Sequence, residues 1–107
     1  LWLQEAFINI IKNGIEHTPP EGSIKLTLME NPLYIRVTIE DTGEGMTEID
    51  LPNIFKRFYK AKTARKSDSI GIGLSLSKSI IEAHNGIIEV ESKLNIGTYF
   101  IITFIKL

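Results

Sequence analysis

Residues 23–45 read SIKLTLMENPLYIRVTIEDTGEG, and the order of side chains in this stretch decides the fold class. From 23 to 30 the chain alternates, with Ile24, Leu26 and Leu28 on one face and Lys25, Thr27 and Met29 on the other. Asn31-Pro32 can turn it, and from 33 to 40 it alternates again with Ile35, Val37 and Ile39 inward. Period-two alternation on both sides of a turn predicts a β-hairpin with one buried face. Directly after the second strand, Asp41-Thr42-Gly43-Glu44-Gly45-Met46-Thr47 makes a glycine-punctuated loop. Glycines there let the backbone approach a flat ligand or take positive φ, and a carboxylate at a strand end can accept from an exocyclic amine. A tight turn would use the same residues, so this loop informs only together with its neighbours.

Upstream, Leu3, Phe7, Ile10, Ile11 and Ile15 recur at spacings of three and four, which predicts an amphipathic helix over 3–15 that Thr18-Pro19-Pro20-Glu21-Gly22 stops. Glu5, Asn9 and Asn13 stack along one stripe of that helix. Asn carbonyls are hard donors suited to Mg²⁺ and Asn amides can donate to phosphate, although a solvated polar face would carry the same residues. Downstream, Thr47 can cap a short helical segment before Asn53, and residues 53–59 suggest another turn or two with Phe55 and Phe58 on one side. Residues 60–69 are basic, small and polar, as in a surface loop. Gly71-Ile72-Gly73 opens a periodic helix over 74–84, with Leu74, Leu76, Ile80, Ile81 and Ala83 available for burial and Asn85-Gly86 as its C-cap. Strands over 87–92 and 98–106 follow, joined by a turn at 93–97. Adjacent strand pairs with helices outside them predict an α+β fold, a two-layer α/β sandwich whose mostly antiparallel mixed sheet is covered on one face by helices.

The totals bound the function. At 107 residues the chain is one small domain, and without cysteine it has neither a disulfide framework nor a thiolate metal site. No apolar run reaches the roughly 18 residues needed to span a bilayer. The net charge of −1 conceals a cluster, because residues 56–66 hold 6 of the 12 Lys and Arg and no acid. Nucleic acid is disfavoured as a partner, since the patch is short and the sequence pI is about 6.1. His17 and His84 are solitary and support no nucleophilic triad; His84 suits a helix C-terminus. The G-x-G at 71–73 fits phosphate binding at a helix start, but it is neither a Walker A loop nor a Rossmann fingerprint.

Taken in order, Asn9-x-x-x-Asn13-Gly14, Asp41-Thr42-Gly43-Glu44-Gly45-Met46, Ile54-Phe55-Lys56-Arg57-Phe58-Tyr59, Gly71-Ile72-Gly73-Leu74 and Gly97-Thr98-Tyr99-Phe100 resemble the N, G1, F, G2 and G3 boxes of the sensor histidine kinase ATP-binding domain. The resemblance spans essentially the whole chain and implies a Bergerat-type ATP-binding fold of the wider GHKL superfamily. It implies ATP and Mg²⁺ as cofactors, with Asn13 as the metal ligand and Asn9 on the phosphates or completing the metal environment. Asp41 would accept from the adenine amine, Gly43, Gly45 and Met46 would approach the base, and Thr98 would support its pocket. Ile70, Gly71, Ile72, Gly73 and Leu74 would hold phosphate at the helix start. Phe55 and Phe58 would anchor a lid over the nucleotide, and Lys60 sits where the family often places a phosphate-contacting Arg. The basic cluster would then be a cationic flap over a polyanion.

Several positions depart from that pattern. Gly14 stands where Ala is usual, which loosens the helix by up to about 1 kcal/mol. Glu16-His17 replaces a basic residue followed by Tyr, so Lys12 is the substitute cation and His17 the substitute wall for the base. Lys56 stands where Glu is common and Ser69 where a glycine is common.

Asn9 separates functions within the superfamily, because gyrase, Hsp90 and MutL-like members carry a Glu there and Asn cannot act as a general base near neutral pH. The resemblance therefore implies the catalytic domain of an ATP-dependent protein-histidine kinase, which presents ATP to a His on a separate dimerisation and phosphoacceptor hairpin. Residues 1–107 would be that single domain. The opening Leu1-Trp2-Leu3 reads as mid-helix, pointing to a parent that continues upstream and to a fragment that does not autophosphorylate alone. A response regulator is the expected partner through the parent, without direct membrane contact by this domain. The expected compartment is the cytoplasm, which leaves a membrane-anchored parent open. The competing readings are a degenerate nucleotide-binding module of the same fold and a GHKL-type ATPase or anti-sigma serine kinase.

Overall fold

The computed structural model describes residues 2–56 and 73–106. Phe58, Lys60, Ile70, Gly71 and Ile72, together with most of the basic cluster, lie outside the described residues. Two α-helices, α1 (Trp2–Glu16) and α2 (Gly73–Ala83), and four strands, β1 (Ile24–Glu30), β2 (Tyr34–Asp41), β3 (Gly86–Lys93) and β4 (Gly97–Ile105), make up the described part. The strands lie in the order β1-β2-β4-β3, with every neighbouring pair antiparallel. This is the expected helix-covered sheet, with no parallel pair among the described residues.

Cross-strand register sets the inner face. Ile39 stands opposite Phe100, Val37 opposite Ile102, and Ile102 opposite Ile88. These side chains meet Ala6 and Ile10 from α1 and Ile80 and Ile81 from α2 in one core. Two edge-on ring pairs extend it: Phe7 on Phe104 at 6.5 Å, and Phe55 on Phe100 at 6.3 Å between centroids. The two helices approach closely over this face, and the buried Ser77 hydroxyl of α2 donates to the Ala6 carbonyl of α1 at 2.9 Å. A hydroxyl satisfied in this way fits a tight helix crossing where a larger apolar side chain would not.

The expected burial fails at three places. Leu26 and Leu28 share the inner face with Ile39 and Val37, yet they are 55% and 70% exposed. α1 lies against β2 and α2 against β3, so the edge strand β1 extends beyond the helical layer. Ile15 and Ala83, both expected in the core, are exposed because they occupy the last turn of their helices, past the sheet positions that cover Ile10 and Ile81.

The turns follow local chemistry. Asn31 Oδ1 accepts from the backbone N–H of Leu33 and Tyr34 and so closes the hairpin. Thr47 Oγ1 accepts from the Asp50 N–H, the expected cap, but the helix it opens is only a 3-10 turn, Leu51–Asn53. At the end of α2, Asn85 takes φ of 63°, the left-handed cap conformation, and the His84 ring bonds the Ile80 carbonyl through Nδ1 at 2.8 Å. Among the described residues, no helix is long and apolar enough to cross a membrane.

Candidate functional site

The site forms where β2 ends beneath the C-terminal half of α1. Asp41 is the last residue of β2, paired across the sheet with Ile24 on one side and Thr98 on the other, and is only 8% exposed. One carboxylate oxygen accepts from the Gly43 N–H at 2.9 Å, and the Thr98 backbone N–H also donates to the carboxylate. Burial raises the Asp41 pKa above its ordinary carboxylate range, against the opposing pull of those two amides and of nearby His17. The other oxygen faces α1, where a Cβ built on Gly14 would stand 3.5 Å from it.

The following loop is wedged between two elements. A Cβ on Gly43 would run into the carbonyl oxygen of His17, just beyond α1, so only glycine lets the loop lie flat there. Gly45 has φ of 70° and abuts the Lys93 carbonyl at the end of β3. The Met46 N–H donates to Ser92 Oγ at 2.8 Å, and Ser92 Oγ lies 2.7 Å from Thr98 Oγ1, so the hydroxyl pair links the loop to β4. Glu44 bridges both sides. Its N–H donates to the His17 carbonyl at 3.1 Å, its carbonyl accepts from the Asn95 N–H at 2.7 Å, and its carboxylate meets His17 Nδ1 at 2.9 Å.

The second half of the site lies along α1. Asn9 and Asn13 are half-buried on its stripe, while Glu5 and Lys12 point to solvent. A Cβ on Gly73, the first residue of α2, would stand 3.9 Å from the Asn9 side chain, so the free N–H groups opening α2 sit beside that Asn. Leu74, one residue on, packs partly into the core, as does Met46. Phe55 is fixed by Phe100 beneath it and by Lys78, whose Nζ lies 5.1 Å from its ring centroid. Of the expected set, Asn9, Asn13, Asp41, Gly43, Gly45, Met46, Gly73 and Thr98 are thus drawn around the α1 terminus and the β2 and β4 ends. His17 is there too, with its ring turned onto Glu44.

The match to known proteins follows the same residues. Residues 1–107 match the family described as histidine kinase-, DNA gyrase B- and HSP90-like ATPase. The chain belongs to this family. Within it, the heme sensor protein HssS of Staphylococcus saprophyticus is 42% identical over 104 residues, which are 97% of this chain and 22% of that protein. Sensor protein SrrB of Staphylococcus aureus is 39% identical over 106 residues, 97% of this chain and 18% of that protein. The chain thus spans about a fifth of the length of the curated relatives it matches. Among solved structures, the catalytic domain of histidine kinase ThkA superposes with a TM-score of 0.82 at 30% identity, covering 98% of this chain and 67% of that one. The mycobacterial sensor histidine kinase MprB gives a TM-score of 0.85 at 25% identity over 94% of this chain and 70% of that one. Its nearest kinship in this ATPase family is thus with sensor histidine kinases.

Sequence reasoning missed Glu44, Ser92 and Asn95. Nothing in the spacing of 92–97 announces that this turn reaches back to the loop at 43–46, although Gly97 in the fifth motif is a pointer to it.

Proposed function

We propose that this domain binds Mg-ATP and presents its γ-phosphate to a phosphoacceptor His on a separate helical hairpin of the parent kinase. The observation that carries the reading is Asp41: a buried carboxylate at a strand end, pre-oriented by two backbone amides, beside a glycine loop that leaves room for a flat base. Its place is that of an acceptor for the adenine amine, with Gly43, Gly45, Met46 and Thr98 around it and His17 as the wall at the α1 end. Asn13 and Asn9 face the phosphates, with Lys12 as a nearby cation and Gly73 and Leu74 at the opening of α2. Phe55 anchors the adjoining segment; Phe58, Lys60, Ile70, Gly71 and Ile72 complete the proposed set.

The donor chemistry fits Mg²⁺. Among the described residues no three His, Asp or Glu side chains cluster as a metal cage. A half-buried Asn oxygen suits an ion that keeps most of its waters and is held mainly by ligand phosphates. Asn13 would hold it, and when bound it neutralises charge that builds on the transferring phosphoryl group. The chain's own residues supply positioning: Asp41 orients the base and the α2 amides orient the phosphates. Asn9, in place of an acid, leaves no carboxylate to activate water, so transfer to a positioned His is favoured over hydrolysis.

The partners on this reading are the parent's hairpin and, through the parent, a response regulator; neither nucleic acid nor the membrane contacts this domain. The test is labelling with γ-labelled ATP. The chain alone should take up no acid-labile phosphate, and adding the hairpin should label the hairpin. Robust self-labelling, or no nucleotide binding at millimolar concentration, contradicts the proposal; the latter result fits a degenerate module of the same fold.

A further inference from the structure

We infer that Glu44 is a positioning residue for adenine recognition: through His17 it clamps the glycine loop between the end of α1 and the β3–β4 turn. The inference rests on the nucleotide-site reading above. Glu44 stands between Gly43 and Gly45, the two residues that give the loop its freedom. Three bonds offset that freedom. Two are made by its backbone, to the His17 carbonyl and the Asn95 N–H, and any residue could make them. The third, Oε1 to His17 Nδ1 at 2.9 Å, needs an acceptor of this length facing an imidazole. Both side chains are partly shielded, at 29% and 19% exposed, so the contact is screened less than a pair on an open surface.

The contact reaches both halves of the site. His17 N–H donates to the Asn13 carbonyl at 3.2 Å, which joins the pair to the α1 turn that carries the proposed metal ligand. On the loop side Glu44 is flanked by Gly43, which donates to Asp41, and by Met46, which donates to Ser92. Loss of the carboxylate frees the His17 ring and lets the loop rock on its two glycines. The Gly43 amide then no longer holds the Asp41 carboxylate steady, and recognition of the base loosens more than recognition of the phosphates. The expected signature is therefore a change in nucleotide selectivity.

The test compares ATP and GTP binding to the 107-residue chain, with Mg²⁺ present, by calorimetric titration. Glu44→Ala should weaken ATP about five- to tenfold, the scale of one hydrogen bond to a charged group, and leave GTP nearly unchanged, narrowing the ATP preference. Glu44→Gln, which keeps an acceptor oxygen within reach, should restore most of it. If Glu44→Ala does not fold, Glu44→Asp makes the same contrast, because its shorter carboxylate falls short of His17 while retaining the charge. An unchanged ATP preference in Glu44→Ala, or in Glu44→Asp, overturns the clamp even if the melting temperature drops. Asp41→Ala separates the two levels: it should abolish the preference. If it does so while Glu44→Ala has no effect, the clamp alone fails; if Asp41→Ala has no effect, the site reading fails.

Discussion

At one end of the β1–β2 hairpin, Asp41 is buried, bonded to two backbone amides and wedged beneath α1. A few residues away on the same inner face, Leu26 and Leu28 stand mostly in solvent. The same two strands build both regions, and the alternation of their sequence is equally clean in each. Alternation therefore decides which side chains share a face, while the helical layer decides which part of that face is a core. Where the layer covers the strands, the backbone is packed so closely that Gly43 has no room for a methyl group. Where it does not, apolar side chains carry little energy.

Cross-strand neighbours break or sharpen this contrast most strongly. Leu26 and Ile39 stand directly opposite each other, so their truncation isolates coverage from position. Ile39→Ala should cost about 2–5 kcal/mol in urea unfolding, against less than about 1 kcal/mol for Leu26→Ala. Equal costs would show that β1 is buried in solution. Next in size, Asp41→Ala should weaken ATP binding roughly 30- to 100-fold in a calorimetric titration, as expected when a buried acceptor is removed from a hydrogen-bonded base. Asn13→Ala should chiefly reduce the dependence on Mg²⁺, and equal tolerance of both changes would count against the two-ended site.

The raised Asp41 pKa gives a pH signature of definite sign. A carboxyl with a folded-state pKa above its unfolded value favours the folded, nucleotide-free domain at low pH. It gives up that contribution as pH rises from the ordinary carboxylate range through the raised value. Ionisation over the same window improves acceptance from the adenine amine, so ATP affinity should rise as intrinsic stability falls. Asp41→Asn should flatten both trends, measured by thermal melts and titrations across that window. The smallest expected effect is at Gly14, where a Cβ would meet Asp41 Oδ2 and Ile24 Cδ1 at ordinary contact distances of 3.5 Å. Gly14→Ala should therefore stabilise the domain by up to about 1 kcal/mol through helix propensity, with the fold unchanged by circular dichroism.

Much of this was legible in the residues. The spacing of Phe7, Ile10 and Ile11 predicts α1, and alternation places all four strands within a residue or two of their observed ends. Asp41 at a strand end and Asn9 near a helix start were legible as site residues because their chemistry is tied to backbone features visible in sequence. Glu44 was not, since its role depends on where the turn at Asn95 folds back and on the rotation of the His17 ring, neither of which has a local signal. Ser77 looked like a surface serine until the crossing of α1 over α2 supplied the Ala6 carbonyl. Leu26 and Leu28 looked buried because periodicity carries no information about the reach of a neighbouring helix.

The central claim is that ATP binds at the packed end of the hairpin. Backbone amide chemical shifts in a labelled 107-residue chain, followed while ATP and Mg²⁺ are added, test it most directly. Saturable changes should fall on Asn9 and Asn13, on Asp41 to Met46 and on Ser92 to Thr98, with β1 from Lys25 to Glu30 unmoved. Absence of change at millimolar ATP, or change confined to β1, would contradict it.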